Sequence, residues 1–180
     1  MIKDHWLTSA RRVESPNYND RPAGQQVELL VIHNISLPPG QYGTGCVEQF
    51  FCNRLDRDAH DYFKEIADLQ VSAHVLIERS GALIQFVPFD KRAWHAGKSS
   101  YRGRDNCNDF SIGIELEGCD DEPYSDVQYD TLAKLTQIIQ EHYPEISPAS
   151  IVGHCDIAPG RKTDPGECFD WDRYRRLCGQ

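Results

Sequence analysis

From Val27 to Asn34 (VELLVIHN) apolar side chains follow one another with no alternation, the pattern of a central strand covered on both faces. The run ends on His33 and Asn34. Ser72–Arg79 and Ala82–Val87 read as two strands joined at Ser80-Gly81, a compact hairpin signal. Phe110–Leu116 (FSIGIEL) is a further strand, carrying Glu115 and followed by Glu117-Gly118. At Asp126 the period changes. Leu132, Leu135, Ile138 and Ile139 fall at spacings of three and four, which lays an apolar stripe along a helix running to His142. Ser125 or Asp126 can cap its start, and Tyr143-Pro144 stops it. Shorter signals complete the set: a helix over Cys46–Arg54, a strand over Ala149–Gly153, and a closing helix over Asp170–Leu177 whose late arginines suit its C-terminal dipole.

Between these elements the pattern breaks down. Residues 1–26 are polar, hold Pro16 and Pro22, and read as an extended lead-in packed on a domain spanning 27–180. Pro88 through Asp109 shows no period, and a loop of that length in a compact domain is functional or mobile. Gly153–Gly166 (GHCDIAPGRKTDPG) contains five Gly or Pro residues, which argues against a regular helix or a continuous strand. The order of elements predicts an α/β fold: a single domain with a central mixed β-sheet flanked by helices.

A net charge of −9 argues against a general nucleic-acid binder or a protein that lies on membranes, since both carry a basic face. Leu29–Ile32, the longest strongly apolar run, is far too short to span a bilayer. Met1-Ile2-Lys3-Asp4-His5-Trp6 mixes charges into the place where a signal peptide is apolar, so the expected location is cytoplasmic. Seven cysteines, an odd number without a C-x-x-C pair, suit free thiols in a reducing compartment better than a disulfide framework. The expected state is a monomer with a small-molecule substrate.

His33 ends one buried strand and His154 follows another, so two imidazoles can converge at one sheet edge. Asp164, ten residues beyond His154 on a bent loop, is the first choice for a third metal ligand. Cys168 is its rival, while Cys155 and Asp156 follow His154 too closely and His74 sits inside a strand pattern. Two histidines and one carboxylate leave a tetrahedral position open, as catalytic zinc requires. A hydrolase of this kind also needs a carboxylate to carry the proton of water and a cation for the developing oxyanion. Glu115 and Glu117 share a strand face, so parity cannot choose between them. Lys162 can flank the metal or sit in solvent, and Tyr62 can donate to a substrate or simply pack. Asn34, Trp94 and His95, with Tyr101 and Arg102, would suit a sugar or peptide, although Trp94 serves equally well as an anchor for its loop.

The motifs VIHNISLPPGQYG, VSAHVLIERSG, QFVPFDKRAWHAGKSSYRGR, CNDFSIGIELEG and GHCDIAPGRKTDPG together resemble the zinc-dependent N-acetylmuramoyl-L-alanine amidases, over nearly the whole chain. The resemblance implies the fold shared with phage amidase-type lysozymes and peptidoglycan recognition proteins. It also implies one Zn2+ per chain on His33, His154 and Asp164, a catalytic Glu115, Lys162 for the transition state and Tyr62 in the active site. The implied activity is cleavage of the bond between (1,6-anhydro-)N-acetylmuramic acid and L-alanine during muropeptide recycling, which in relatives limits β-lactamase induction. Gln70 and Asn106 stand near places where close relatives are expected to carry arginine. The rival readings are a non-catalytic muropeptide-binding module and an amidase acting on intact peptidoglycan.

Overall fold

The structure, a computed structural model, describes residues 1–179. The polar N-terminal stretch carries short pairings: β1 (Ile2–Lys3) with β2 (Trp6–Leu7), then β3 (Arg11–Arg12) and β4 (Tyr18–Asp20). The buried apolar run forms β5 (Leu29–Ile35). Helices α1 (Cys46–Phe51) and α2 (Phe63–Ile66) follow, then the hairpin β6 (Val75–Ile77) and β7 (Leu83–Gln85). The segment read as a structureless loop over 88–109 instead holds β8 (Lys91–Ala93), β9 (Ser100–Tyr101), β10 (Arg104–Asp105) and a 3-10 turn. After it come β11 (Ser111–Glu117), α3 (Asp126–His142), β12 (Ile151–Gly153), α4 (His154–Ile157) and α5 (Trp171–Cys178).

The main sheet runs β12–β5–β11–β6–β7–β3. The four strands from β12 to β6 are parallel, β7 is antiparallel to β6, and β3 is parallel to β7. The sheet is therefore mixed and flanked by helices, as the order of elements predicts. Residues 1–26 are more than a wrapping: β3 forms the edge of the main sheet and β4 pairs with β8.

Strand β11 explains how one sheet can be both core and site. Ile112, Ile114 and Leu116 point to the face covered by α3 and α5, where they join Leu30, Ile32, Leu132, Leu135, Ile139 and Tyr174. Each such side chain contributes roughly 1.5–3 kcal/mol when fully buried. The alternate positions Ser111, Gly113, Glu115 and Glu117 face the opposite side, which is also the side of Leu29, Val31 and His33 on β5. Helix α3 is fixed at its start by a capping box: Ser125 Oγ accepts from the Gln128 amide and Gln128 Oε1 from the Ser125 amide. The Gln128 side chain also donates to the carbonyls of Ile77 and Glu117, which ties the helix to the ends of β6 and β11.

Arg21 secures the 88–109 segment from the N-terminal side. Its guanidinium is largely buried and donates to the carbonyls of Phe89, Asn108, Asp109 and Ser111. Burial lowers its pKa to about 10. No helix among the described residues is long and apolar enough to cross a membrane.

Candidate active site

The carboxyl ends of β12, β5 and β11 lie side by side, the edge at which open α/β sheets mount ligand sites. His33 and Glu115 are direct register partners in the β5–β11 ladder. Gly153 pairs with Ile32, so His154, the next residue, emerges beside His33. The stretch after Gly153 was read as irregular, yet it opens with one helical turn, α4. A single turn fits between Gly153 and Pro159, and the Asp156 carboxylate accepts from the Gly153 amide to cap it. The chain then loops back. The Cys155 amide donates to the Asp164 carbonyl and the Tyr124 hydroxyl to that of Pro165, which returns Asp164 to His154. Gly166 takes φ +80 so close to Asp120 that a Cβ there would lie 2.3 Å from Asp120 Cα. Only glycine meets both demands.

His33 Nδ1, His154 Nδ1 and Asp164 Oδ2 form a triangle with every side 3.0 Å. All three residues are buried. Among the described residues this is the group of His, Cys, Asp and Glu side chains placed to hold a metal ion. His154 Nε2 lies 3.1 Å from the Ala96 carbonyl oxygen, which can only accept, so that nitrogen carries a proton. In the neutral ring Nδ1 then offers a lone pair, and it faces a carboxylate oxygen at 3.0 Å. A cation relieves that opposition, and one ion at about 2.0–2.2 Å can reach all three donors. The residues present fit zinc. Burial pushes the His33 pKa down to about 4. Burial alone would raise Asp164, but the two imidazoles beside it outweigh that and hold the carboxyl well below its usual range.

Glu115 lines the same cavity, buried, with Oε2 lacking any hydrogen-bond partner among the described residues. Burial, with the nearby Asp164 charge, pushes its carboxyl well above the usual range, and Lys162 opposes the shift. Glu117 is spent elsewhere: its oxygens accept from the amides of Gly43 and Arg79. Lys162 is exposed on the cavity wall. Tyr62, at 37% exposure, stands at the mouth just before α2. The cavity encloses about 610 Å³, and apolar walls from Leu37, Phe50 and Ile66 face the polar centre.

The contact residues expected from sequence are more committed to the protein than their types suggest. Asn34 donates to Asp120 at 2.8 Å and the Trp94 indole N–H to Asn19 at 2.7 Å, although both line the cavity. Both ring nitrogens of His95 are engaged, with His33 at 2.9 Å and Ser111 at 3.0 Å. Tyr101 bonds the Ala149 carbonyl instead. His74 packs under the site, accepting from the Gly113 amide at Nδ1 and meeting the Lys91 carbonyl at Nε2. Asn108 and Arg161, neither of them expected as a site residue, support the site from behind. Asn108 Oδ1 accepts from the amides of His95 and Ala96, and Arg161 donates to the carbonyls of Ala96 and Lys98. The alternation S-x-G-x-E-x-E along β11 was the legible sign of this polar face.

A parallel sheet edge that joins two imidazoles and a carboxylate around one point, with a second, unpartnered acid alongside, defines a hydrolase suited to one metal ion. Residues 23–167 match the N-acetylmuramoyl-L-alanine amidase family. The chain is 55% identical to the 1,6-anhydro-N-acetylmuramyl-L-alanine amidase AmpD of Escherichia coli K12, over 98% of this chain and 96% of the relative. A crystal structure of a selenomethionine AmpD derivative superposes with a TM-score of 0.96 at 55% identity, covering 98% of each chain. The E. coli amidase AmiD, solved with the substrate anhydro-N-acetylmuramic acid-L-Ala-D-γ-Glu-L-Lys, is 31% identical with a TM-score of 0.63, covering 88% of this chain and 60% of AmiD. The chain belongs to the N-acetylmuramoyl-L-alanine amidase family.

Proposed function

We propose that this amidase hydrolyses the bond between the lactyl carbonyl of 1,6-anhydro-N-acetylmuramic acid and the L-alanine nitrogen of the stem peptide, in muropeptide recycling. The carrying observation is the 3.0 Å triangle of His33, His154 and Asp164 beside a buried Glu115 with one free oxygen, all on one cavity. Those three residues would hold one Zn2+, which when bound supplies a Lewis acid and lowers the pKa of water. Glu115 accepts a proton from the attacking water and returns it to the departing nitrogen, a role its raised affinity for protons suits. As water adds and the C–N bond breaks, the Lys162 ammonium lies near the oxygen that gains charge. The products are a muramyl carboxylic acid and a stem peptide with a free amine. Tyr62, Asn34 and the face of Trp94 border the space that the sugar and peptide would fill.

All seven cysteines are free thiols, which supports a cytoplasmic site of action. Mass spectrometry of products from anhydro- and non-anhydro-muropeptides, with and without chelator, tests the proposal. Chelator-sensitive release of the stem peptide, faster from the anhydro form, is expected. Equal rates on the two substrates would remove the recycling role, and indifference to chelator would remove the metal.

A further inference from the structure

The histidine ligands reach the metal point through Nδ1, so their orientation depends on what holds Nε2. For both rings the holder is the same short stretch. His33 Nε2 lies 2.9 Å from His95 Nδ1, and His154 Nε2 lies 3.1 Å from the carbonyl oxygen of Ala96, the next residue along. We infer that residues 94–97 act as a bracket that positions both histidine ligands, His95 through its ring and Ala96 through its carbonyl oxygen. This rests on the metal reading of the site.

The bracket is itself fixed from several directions. Asn108 Oδ1 accepts from the amides of His95 and Ala96 at 3.1 and 2.8 Å. The Trp94 amide donates to Ser72 Oγ at 3.1 Å. Arg161, three residues before Asp164 and on the same loop, donates to Ala96 O at 2.6 Å and to Lys98 O. On the other side, Gly113 leaves room for the imidazole: a Cβ there would come within 2.4 Å of His95 Cγ. When Nδ1 of His33 is a metal donor, its Nε2 must carry the proton, so His95 Nδ1 accepts and His95 Nε2–H donates to Ser111 Oγ. A chain of imidazole, imidazole and hydroxyl thus backs one ligand, where a carboxylate or carbonyl more commonly does so. His95 is a positioning residue: it acts on the metal centre through His33.

Zinc affinity of the full chain, read by competition with a chromophoric chelator, tests the bracket. His95→Leu fills the space without an acceptor and is expected to weaken zinc binding about 10–100-fold. His95→Asn offers an amide oxygen near the Nδ1 position and should recover most of that loss, which a purely space-filling role would not produce. In the zinc-loaded wild type, a 15N–15N coupling should connect His33 Nε2 and His95 Nδ1 across their hydrogen bond. Wild-type affinity in His95→Leu, or absence of the coupling, would overturn the bracket while leaving the metal reading intact. Failure of the wild type to bind zinc would remove both. If His95→Leu does not fold, the coupling decides alone.

Discussion

Gly113→Ala is the smallest change that strikes the site from beneath. The new methyl group would lie 2.4 Å from Cγ, 2.5 Å from Nδ1 and 2.8 Å from Cδ2 of His95. Carbon atoms in contact sit about 3.5–4.0 Å apart, so methyl and ring must separate by about 1 Å. Strand β11 cannot easily yield, because it is paired with β5 along its whole length and with β6 at Ile114–Leu116. The imidazole must therefore give way, and it is tethered at 2.9 and 3.0 Å through its two nitrogens. A retreat of about 1 Å takes at least one of these bonds past hydrogen-bonding distance. Overpacking costs about 1–3 kcal/mol and each lost hydrogen bond about 0.5–1.5, which gives a destabilisation of about 2–4 kcal/mol. At an open strand position the same change stabilises by roughly 0.5–1 kcal/mol, so even the sign is diagnostic. Urea unfolding of the metal-free protein measures the first effect, and chelator competition measures the accompanying loss of zinc affinity. A variant as stable as the wild type and equally tight for zinc would refute the packing derived for Gly113 and His95.

Glu115→Gln should keep zinc affinity within a few-fold while lowering kcat by about 10²–10⁴, measured on an anhydromuropeptide; undiminished turnover would transfer the base role elsewhere. Arg21→Met leaves four carbonyls short of a donor and should destabilise by about 2–4 kcal/mol, with faster amide exchange over 91–111. Unchanged exchange there would mean that the segment is held by other contacts. Burial and then the Arg21 charge press the His74 pKa from 6.5 to about 3. Between those values the unfolded chain binds the extra proton, so this contribution is complete above about pH 6.5 and disappears as the pH falls toward 3. The window is worth on the order of 5 kcal/mol at about 1.4 per unit. His74→Asn should therefore lose less stability than the wild type between pH 7 and 4 in urea titrations, and parallel loss in the two proteins would contradict the assignment.

Elements whose determinants are local were legible in the sequence. Helix α3 begins and ends where expected because its cap, stripe and stop all lie within it or directly beside it. Strands β1–β4 and β8–β10 were not legible, since two or three residues carry no period, and β3, β4 and β8 also owe their pairing to distant partners. α4 escaped for a related reason: one turn held by Asp156 needs no helical propensity beyond its four residues. At the site, residue types announced the chemistry but not the partners. Parity could not separate Glu115 from Glu117, and nothing local reveals that the amides of Gly43 and Arg79, far away in sequence, occupy the oxygens of Glu117. Trp94 and His95 looked like surface for a ligand because nothing local reveals that their polar atoms meet Asn19, His33 and Ser111.

The register that sets His33 opposite Glu115 separates the evolution of the reaction from the evolution of its substrate. Their spacing is that of neighbouring strands, about 4.8 Å, whatever the length of chain between them. That intervening chain supplies Leu37, Phe50, Tyr62 and Trp94 to the cavity wall. Insertions and deletions there can redraw the mouth, and with it the preferred sugar or peptide, without moving the two groups apart. For an engineer, the segment from Ser36 to Gln70, which ends before β6 and before residues 94–97, is a cassette to be exchanged around a fixed pair of groups.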